Sequence, residues 1–272
     1  MRGVVTAAWS YDIRRAAEAA SDAGNLLAAF CLTIIILVMT SSELRKDPLS
    51  TFVVRPFLLA FLGNLVSAFQ FMMVLSDTTL SARTFALAIP PEVMMVISAA
   101  LMLFGISIVI QRHFTEPRVV RLTLYVFLIA GLYTIGVVVR GLSDLSHVNA
   151  GIALTDNALG TQVLLLGTVP GLLWVSYRWL RAWRLSTPEA LLDRLMRNAC
   201  VAFVASTLLF AVAMQMNPGD RVPQALLPVL ALTVTMLQWL VVAVCFCILT
   251  RFPALCLERP LAVAAPQPPS PL

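Results

Sequence analysis

The sequence predicts an all-α integral membrane protein: a bundle of seven transmembrane helices with the N-terminus outside and the C-terminus in the cytoplasm. Three observations predict it. Of 272 residues, 60% are hydrophobic and 12% charged, and the mean hydropathy is +0.89, whereas a soluble domain carries about 25% charged residues. Seven stretches between consecutive charges run for 18 to 29 uncharged residues. At 1.5 Å per residue, each can cross roughly 30 Å of hydrocarbon. Finally, the basic residues divide unevenly between alternate connections.

The first 22 residues form an amphipathic N-terminal segment. Asp12, Arg14, Arg15, Glu18 and Asp22 stand where a signal peptide needs an apolar run, so the first span is expected to insert uncleaved. Helices are expected at about 23–42, 56–76, 86–111, 120–139, 157–179, 198–217 and 223–250. Together they make residues 23–250 one membrane domain, followed by a proline-rich, disordered cytoplasmic tail at 251–272. These blocks lack the ten-residue alternation of a membrane barrel.

Local signals refine individual spans. Span three starts either near Phe85, which buries Glu92 within the helix, or at Pro90 and Pro91, which leaves Glu92 in a first turn where a carboxylate suits the helix dipole. Before span six, Ser186-Thr187-Pro188-Glu189 reads as a capping box, with Ser186 the cap and Glu189 its reciprocal partner, so a helix restarts in the cytoplasm and runs into the membrane. Span seven is long enough to tilt or to begin as a non-spanning piece near Pro223. Pro170 and Pro228 are expected to bend their helices.

Direction follows from the resistance of basic residues to translocation. The connections after spans one, three and five, with the tail, hold thirteen Lys and Arg residues; the N-terminal segment and the other connections hold six. The basic side is therefore cytoplasmic. Localisation to the plasma membrane follows as an expectation.

Several function classes lose support. The arginines sit singly between apolar blocks rather than in a stripe with aromatic residues, so no nucleic-acid partner is expected. His113 and His147 lie in connections on opposite sides and the five cysteines form no paired motif, leaving too few ligands for an intramembrane zinc site. Gly-x-Ser-x-Gly and phosphate-loop patterns are absent. The single lysine, Lys46, lies in a loop, so a retinal pigment is excluded. The chain is expected to be no enzyme and to carry no cofactor, metal or disulfide. Cys256, close to the membrane, is a candidate for palmitoylation.

The candidate ligand-binding residues are Glu92, Gln70 and Asn64. An ionisable group within a bilayer is costly and faces a bundle interior or a wet cavity, and Gln70 in the antiparallel second span reaches a similar depth to Glu92. Asn64, Gln162, Gln215 and Gln238 are also read as amides that bond between helices. Arg140, Asp144, His147, Asp156, Asp220 and Arg221 are candidates for the rim of an outer entrance. On the cytoplasmic side, Arg112, Arg181, Arg184, Arg194 and Arg197 form a candidate surface for a protein partner at the loop between helices five and six. Beyond that protein, the expected partner is the lipid bilayer. The resulting reading is a receptor-like or sensory protein with an outer pocket between helices two, three and seven. The alternative is a small-solute or lipid transporter, which needs a polar path at mid-bilayer.

Seven spans in this direction resemble the G-protein-coupled receptor plan in topology. Gln111-Arg112-His113 stands where many such receptors carry an acidic-Arg-aromatic triplet. The last-helix Asn-Pro-x-x-Tyr is missing, since Asn217-Pro218 falls in an outer loop, and the cysteine pair that pins the second outer loop to helix three is absent. The resemblance therefore implies an arrangement of helices and assigns no family.

Overall fold

The structure, a computed structural model, describes residues 13–42, 47, 50–77, 81–114, 116–150, 187–217, 220–223 and 226–258. Six long helices account for nearly all of them: α1 Ile13–Thr40, α2 Thr51–Leu75, α3 Ala82–His113, α4 Pro117–Ala150, α5 Pro188–Met214 and α6 Leu226–Glu258. No strand occurs among the described residues. The stretch expected as the fifth span, 157–179, lies outside the described residues, so α5 and α6 correspond to expected spans six and seven.

Side-chain pairings give each helix a direction. Ser21 meets Ala68, Ser67 meets Pro91, and a Cβ on Gly105 would meet the Phe57 ring, so α1, α2 and α3 alternate. Glu92 beside Gly141 makes α4 antiparallel to α3, and Phe52 against Phe252 makes α6 antiparallel to α2. Arg55 pairs with Asp193 and Gly63 lies against Phe203, so α5 runs parallel to α2. One end of the bundle therefore holds the start of α1 and the ends of α2, α4 and α5. The opposite end holds the starts of α2, α4 and α5 and the end of α6.

Helix α3 is the hub. It packs against each of the other five helices, and α1, α2, α5, α6 and α4 follow one another around it. Of its apolar window, 61% is buried, against 28% to 44% for the corresponding windows of α1, α2 and α5. Short side chains make the close approaches. The buried face of α1 is Ile13, Ala17, Ser21, Gly24, Ala28, Cys31, Ile35 and Val38, a spacing of three and four that keeps one seam against α2. A Cβ on Gly63 would collide with Ser98 Oγ and the Phe203 ring, so only glycine lets α2, α3 and α5 meet there.

Four helices, α1, α2, α3 and α5, are long and apolar enough to cross a membrane. Their outer faces agree: Leu26, Met39, Phe69, Val204, Leu208 and Val212 are each about 60% exposed or more. Contiguous apolar surface of this kind is unstable in water and natural against lipid. Threonine hydroxyls along these helices bond back to the carbonyl four residues earlier, as Thr33 does to Ala29 and Thr207 to Phe203. In an apolar solvent, each donor is thereby satisfied within its own helix.

Several boundaries differ from the sequence expectation. α1 runs unbroken from Ile13 through the expected boundary at 22, because Ile13, Ala17 and Ser21 already belong to its buried face. α3 starts at Ala82, capped by Ser81, whose hydroxyl accepts from the Thr84 amide in a capping box; Pro90 and Pro91 are interior. α4 continues through the expected Arg140–Asp156 connection to Ala150. α5 does start at Pro188, but its cap is Thr187, which accepts from Ala190 N at 3.3 Å. That register moves Glu189 off the box position into the first turn, where it favours the dipole. Pro228 is the third described residue of α6. α6 also runs on past Arg251 to Glu258; Pro170 and residues 259–272 are outside the described residues.

Candidate functional site

The end of the bundle that carries the start of α1 is organised by Asp77, just past α2. Its carbonyl accepts from Arg14 Nη2 at 2.8 Å, and its carboxylate accepts from Thr84 Oγ1 at 3.2 Å and lies 3.8 Å from Arg83 Nε. Three chain segments, the start of α1, the end of α2 and the start of α3, are thereby tied together. Ser67 Oγ then donates to the Pro91 carbonyl at 2.8 Å, which fixes α2 on α3 one residue before Glu92.

Glu92 is the eleventh residue of α3, about 15 Å along the helix from its start. Its carboxylate points at α4. There Gly141 presents bare backbone, and a Cβ at that position would stand 2.6 Å from Glu92 Oε2. Oε2 is fully buried and has no hydrogen-bond partner among the described residues. Around it lies a cavity of about 210 Å³ walled by Ile13 of α1, Phe85, Ala88, Ile89 and Glu92 of α3, and Val137, Arg140, Gly141 and Asp144 of α4. Arg140 and Asp144 are i and i+4 on one helical face. Pro90 and Pro91 lack amide hydrogens, so the Ala86 and Leu87 carbonyls have no intrahelical donor.

The expected pocket lay between helices two, three and seven, whereas this cavity lies between the first, third and fourth. Of the three expected ligand residues it contains Glu92 alone. Gln70 and Asn64 do not line it, although both are buried. Asn64 sits in the seam between α1 and α2 beside Cys31 and next to Gly24. Two of the rim candidates, Arg140 and Asp144, join Glu92 because α4 is longer than expected. Asp220 instead accepts from the Asn217 backbone and side-chain amides in the turn after α5, while Arg221 is exposed.

Asn64 lies beside the Cys31 thiol across the α1–α2 seam, and serine hydroxyls make two further bonds between helices: Ser21 donates to the Ala68 carbonyl at 3.1 Å, and Ser67 to the Pro91 carbonyl. Gln238 is buried, and neither amide atom has a hydrogen-bond partner among the described residues. Gln215 is exposed in the turn that ends α5, and Gln162 lies outside the described residues.

At the opposite end, α3 finishes in an ion pair. Arg112 Nε lies 3.1 Å from Asp47 Oδ2, with the side chains only 10% and 7% exposed. The pair ties the end of α3 to the α1–α2 connection. Beside it is a smaller cavity of about 100 Å³, mostly apolar, which reaches Val38, Val53, Ile108 and Phe252. Arg112 is thus largely buried in this pair. Arg194 and Arg197 are exposed at the start of α5, where Leu191, Leu192 and Leu195 pack inward. Arg181 and Arg184 lie outside the described residues. Asp193 of the same helix pairs with Arg55 at 2.6 Å on the surface.

Sequence reasoning missed Gly141, Asp47 and Ile13. The alternation Arg140-Gly141-x-x-Asp144 carried a signal, because on a helix it puts both charges and a gap for a third on one face. No protein-family model, curated protein or solved structure matches this chain. The local geometry therefore supports the reading of function that follows.

Proposed function

We propose that this is a receptor-like seven-span membrane protein, resident in the plasma membrane and without enzymatic activity. It takes a small ligand into the cavity around Glu92 and answers at the far end of α3. The observation that carries this reading is that one helix bears both devices. Glu92 and Arg112 are twenty residues apart on α3, roughly 30 Å by helical rise, and α3 touches every other described helix. A ligand that shifts α4 or α1 against Glu92 therefore acts on the element whose other end is pinned by Asp47.

Seven crossings are supported by parity. α4 ends at the end of the bundle where α1 begins, and α5 begins at the opposite end, so the chain between them has to return across the hydrophobic thickness. The uncharged run at 157–177 has the length for it. The division of basic residues favours the Glu92 end as the outer one. Arg194 and Arg197 then face the cytoplasm as the remaining described part of the partner surface.

A transporter needs a polar route from one side to the other. Between Glu92 and Arg112 the buried face of α3 is mainly Val93, Met94, Val96, Ile97, Leu101, Phe104 and Ile108, which favours a receptor. The test uses three probes of matched size, n-butylammonium, butyrate and n-butanol, on the chain reconstituted in liposomes. At least one is expected to slow maleimide labelling of a cysteine placed at Val137 and to change hydrogen exchange around Asp47 and Arg112, with no movement of the probe across the bilayer. Accumulation of a probe inside the liposomes, or occupancy without any change at Arg112, contradicts the receptor reading.

A further inference from the structure

The cavity's own charges select among ligands. Glu92 and Asp144 contribute two negative charges and Arg140 one positive, so the walls carry a net charge of −1 when all three are ionised. Arg140 is exposed at the rim and has Asp144 four residues on along the same helical face, where an arginine and a carboxylate offset one another. Among the described residues no ion pair reaches Glu92: Oε2 is buried without a hydrogen bond, against Gly141 and in a wall shared with Phe85, Ala88, Ile89 and Val137. An anion removed from water and left unpaired is strongly unfavourable, and a positive charge brought to it recovers much of that cost.

A metal ion fits poorly. Among the described residues no group of three or more His, Cys, Asp or Glu side chains could hold one, and calcium or magnesium requires six or more oxygens. The remaining walls are hydrocarbon, which suits an alkyl group. The carbonyls of Ala86 and Leu87, freed by the two prolines, add acceptor character near the same stretch of α3.

We infer that the cavity binds a small organic cation, a protonated amine whose ammonium pairs with the Glu92 carboxylate and whose short hydrocarbon chain lies against Phe85, Ala88, Ile89 and Val137. The inference rests on the reading of this cavity as the ligand site and names the class of ligand. Gly141 is part of the device, because its missing side chain lets the carboxylate reach across to α4. The ammonium belongs either to a free amine in the outer water or to the headgroup of an aminolipid entering between α1 and α4.

The same three probes decide it, with the full chain in nanodiscs of phosphatidylglycerol, which has no amine. The readout is maleimide labelling of Val137→Cys, followed by mass spectrometry of the peptide that holds residue 137. At ten times its dissociation constant, n-butylammonium leaves about one site in eleven free and slows labelling roughly tenfold; n-butanol and butyrate do not. Glu92→Gln removes the effect. Gly141→Leu, which fills the space from the α4 side, removes it independently. Adding phosphatidylethanolamine to the nanodisc blocks the n-butylammonium effect if the headgroup is the source and leaves it intact if the ligand is a free amine.

Protection by n-butanol equal to that by n-butylammonium, or protection that survives Glu92→Gln in a monodisperse variant, overturns the inference. Protection by butyrate alone overturns the ligand class but leaves the cavity as a ligand site. Protection by none of the three overturns both.

Discussion

The Glu92 carboxylate rests on the backbone of Gly141, close enough that a single added carbon on Gly141 would stand 2.6 Å from Oε2. An α3 carboxylate and an α4 glycine thus make one polar contact surface inside an otherwise apolar wall. The identity of the glycine matters more than its helix propensity.

That contact can be titrated by size. Gly141→Ala forces the carboxylate to move and is expected to weaken n-butylammonium binding, whereas Gly141→Leu abolishes it. Gly136, five residues earlier on α4, has no atom of the described residues within 4 Å of where a Cβ would be. Gly136→Ala is therefore expected to leave binding unchanged and to stabilise the helix by about 0.5–1 kcal/mol. Cysteine-protection affinities and thermal unfolding of the two alanine variants, measured side by side, check the contrast.

The two ion pairs at the Arg112 end should differ sharply in worth. Asp47→Ala leaves Arg112 largely buried without its carboxylate, which costs on the order of 3–5 kcal/mol. Arg55 and Asp193 are 53% and 69% exposed, so Arg55→Ala costs about 1 kcal/mol or less. Unfolding of both variants in mixed micelles of detergent and denaturant gives the comparison. Equal losses would mean that Asp47 and Arg112 do not form a latch.

Gly63 predicts a packing defect rather than a binding one. A methyl group there strikes Ser98 and the Phe203 ring, so Gly63→Ala is expected to destabilise the chain by about 1–3 kcal/mol, against the gain expected for Gly136→Ala. Probe affinity at the Glu92 cavity, measured where the variant stays folded, is expected to be unchanged.

The serine hydroxyls offer a smaller effect. Ser21→Ala removes the bond to the Ala68 carbonyl and Ser67→Ala the bond to the Pro91 carbonyl. Interhelical hydrogen bonds in membranes average about 0.6 kcal/mol, and each substitution is expected to cost about that. Ser67→Ala is expected in addition to lower n-butylammonium affinity, because its partner is the residue before Glu92.

The membrane character of the helices was legible in the sequence because it depends on composition over long windows, which hydrocarbon enforces regardless of neighbours. Glu92 was legible for the same reason, as a charge in the wrong solvent. Its surroundings were not. The Ser81–Thr84 box starts α3 three residues before Phe85, and two prolines that resemble a helix start lie inside. α4 carries Arg140 and Asp144 as helix rather than loop, because helical hydrogen bonding continues through short polar stretches when the far side stays packed, as Leu142 and Leu145 do. Gln70 matched Glu92 in depth but not in azimuth, and depth is all that rise per residue supplies. The partner of Arg112 lay in a short connection, 65 residues away in sequence, where no periodicity points to it.

The proposed seven-span reading puts Ala150 on the ligand side of the membrane and Arg194 on the other side. A cysteine at Ala150 and, in a second variant, one at Arg194 report on the two ends of that path through a membrane-impermeant maleimide, with labelling located by peptide mass. Ala150→Cys is expected to label in intact cells, and Arg194→Cys only after the membrane is opened. Labelling of both from the same side would contradict the account.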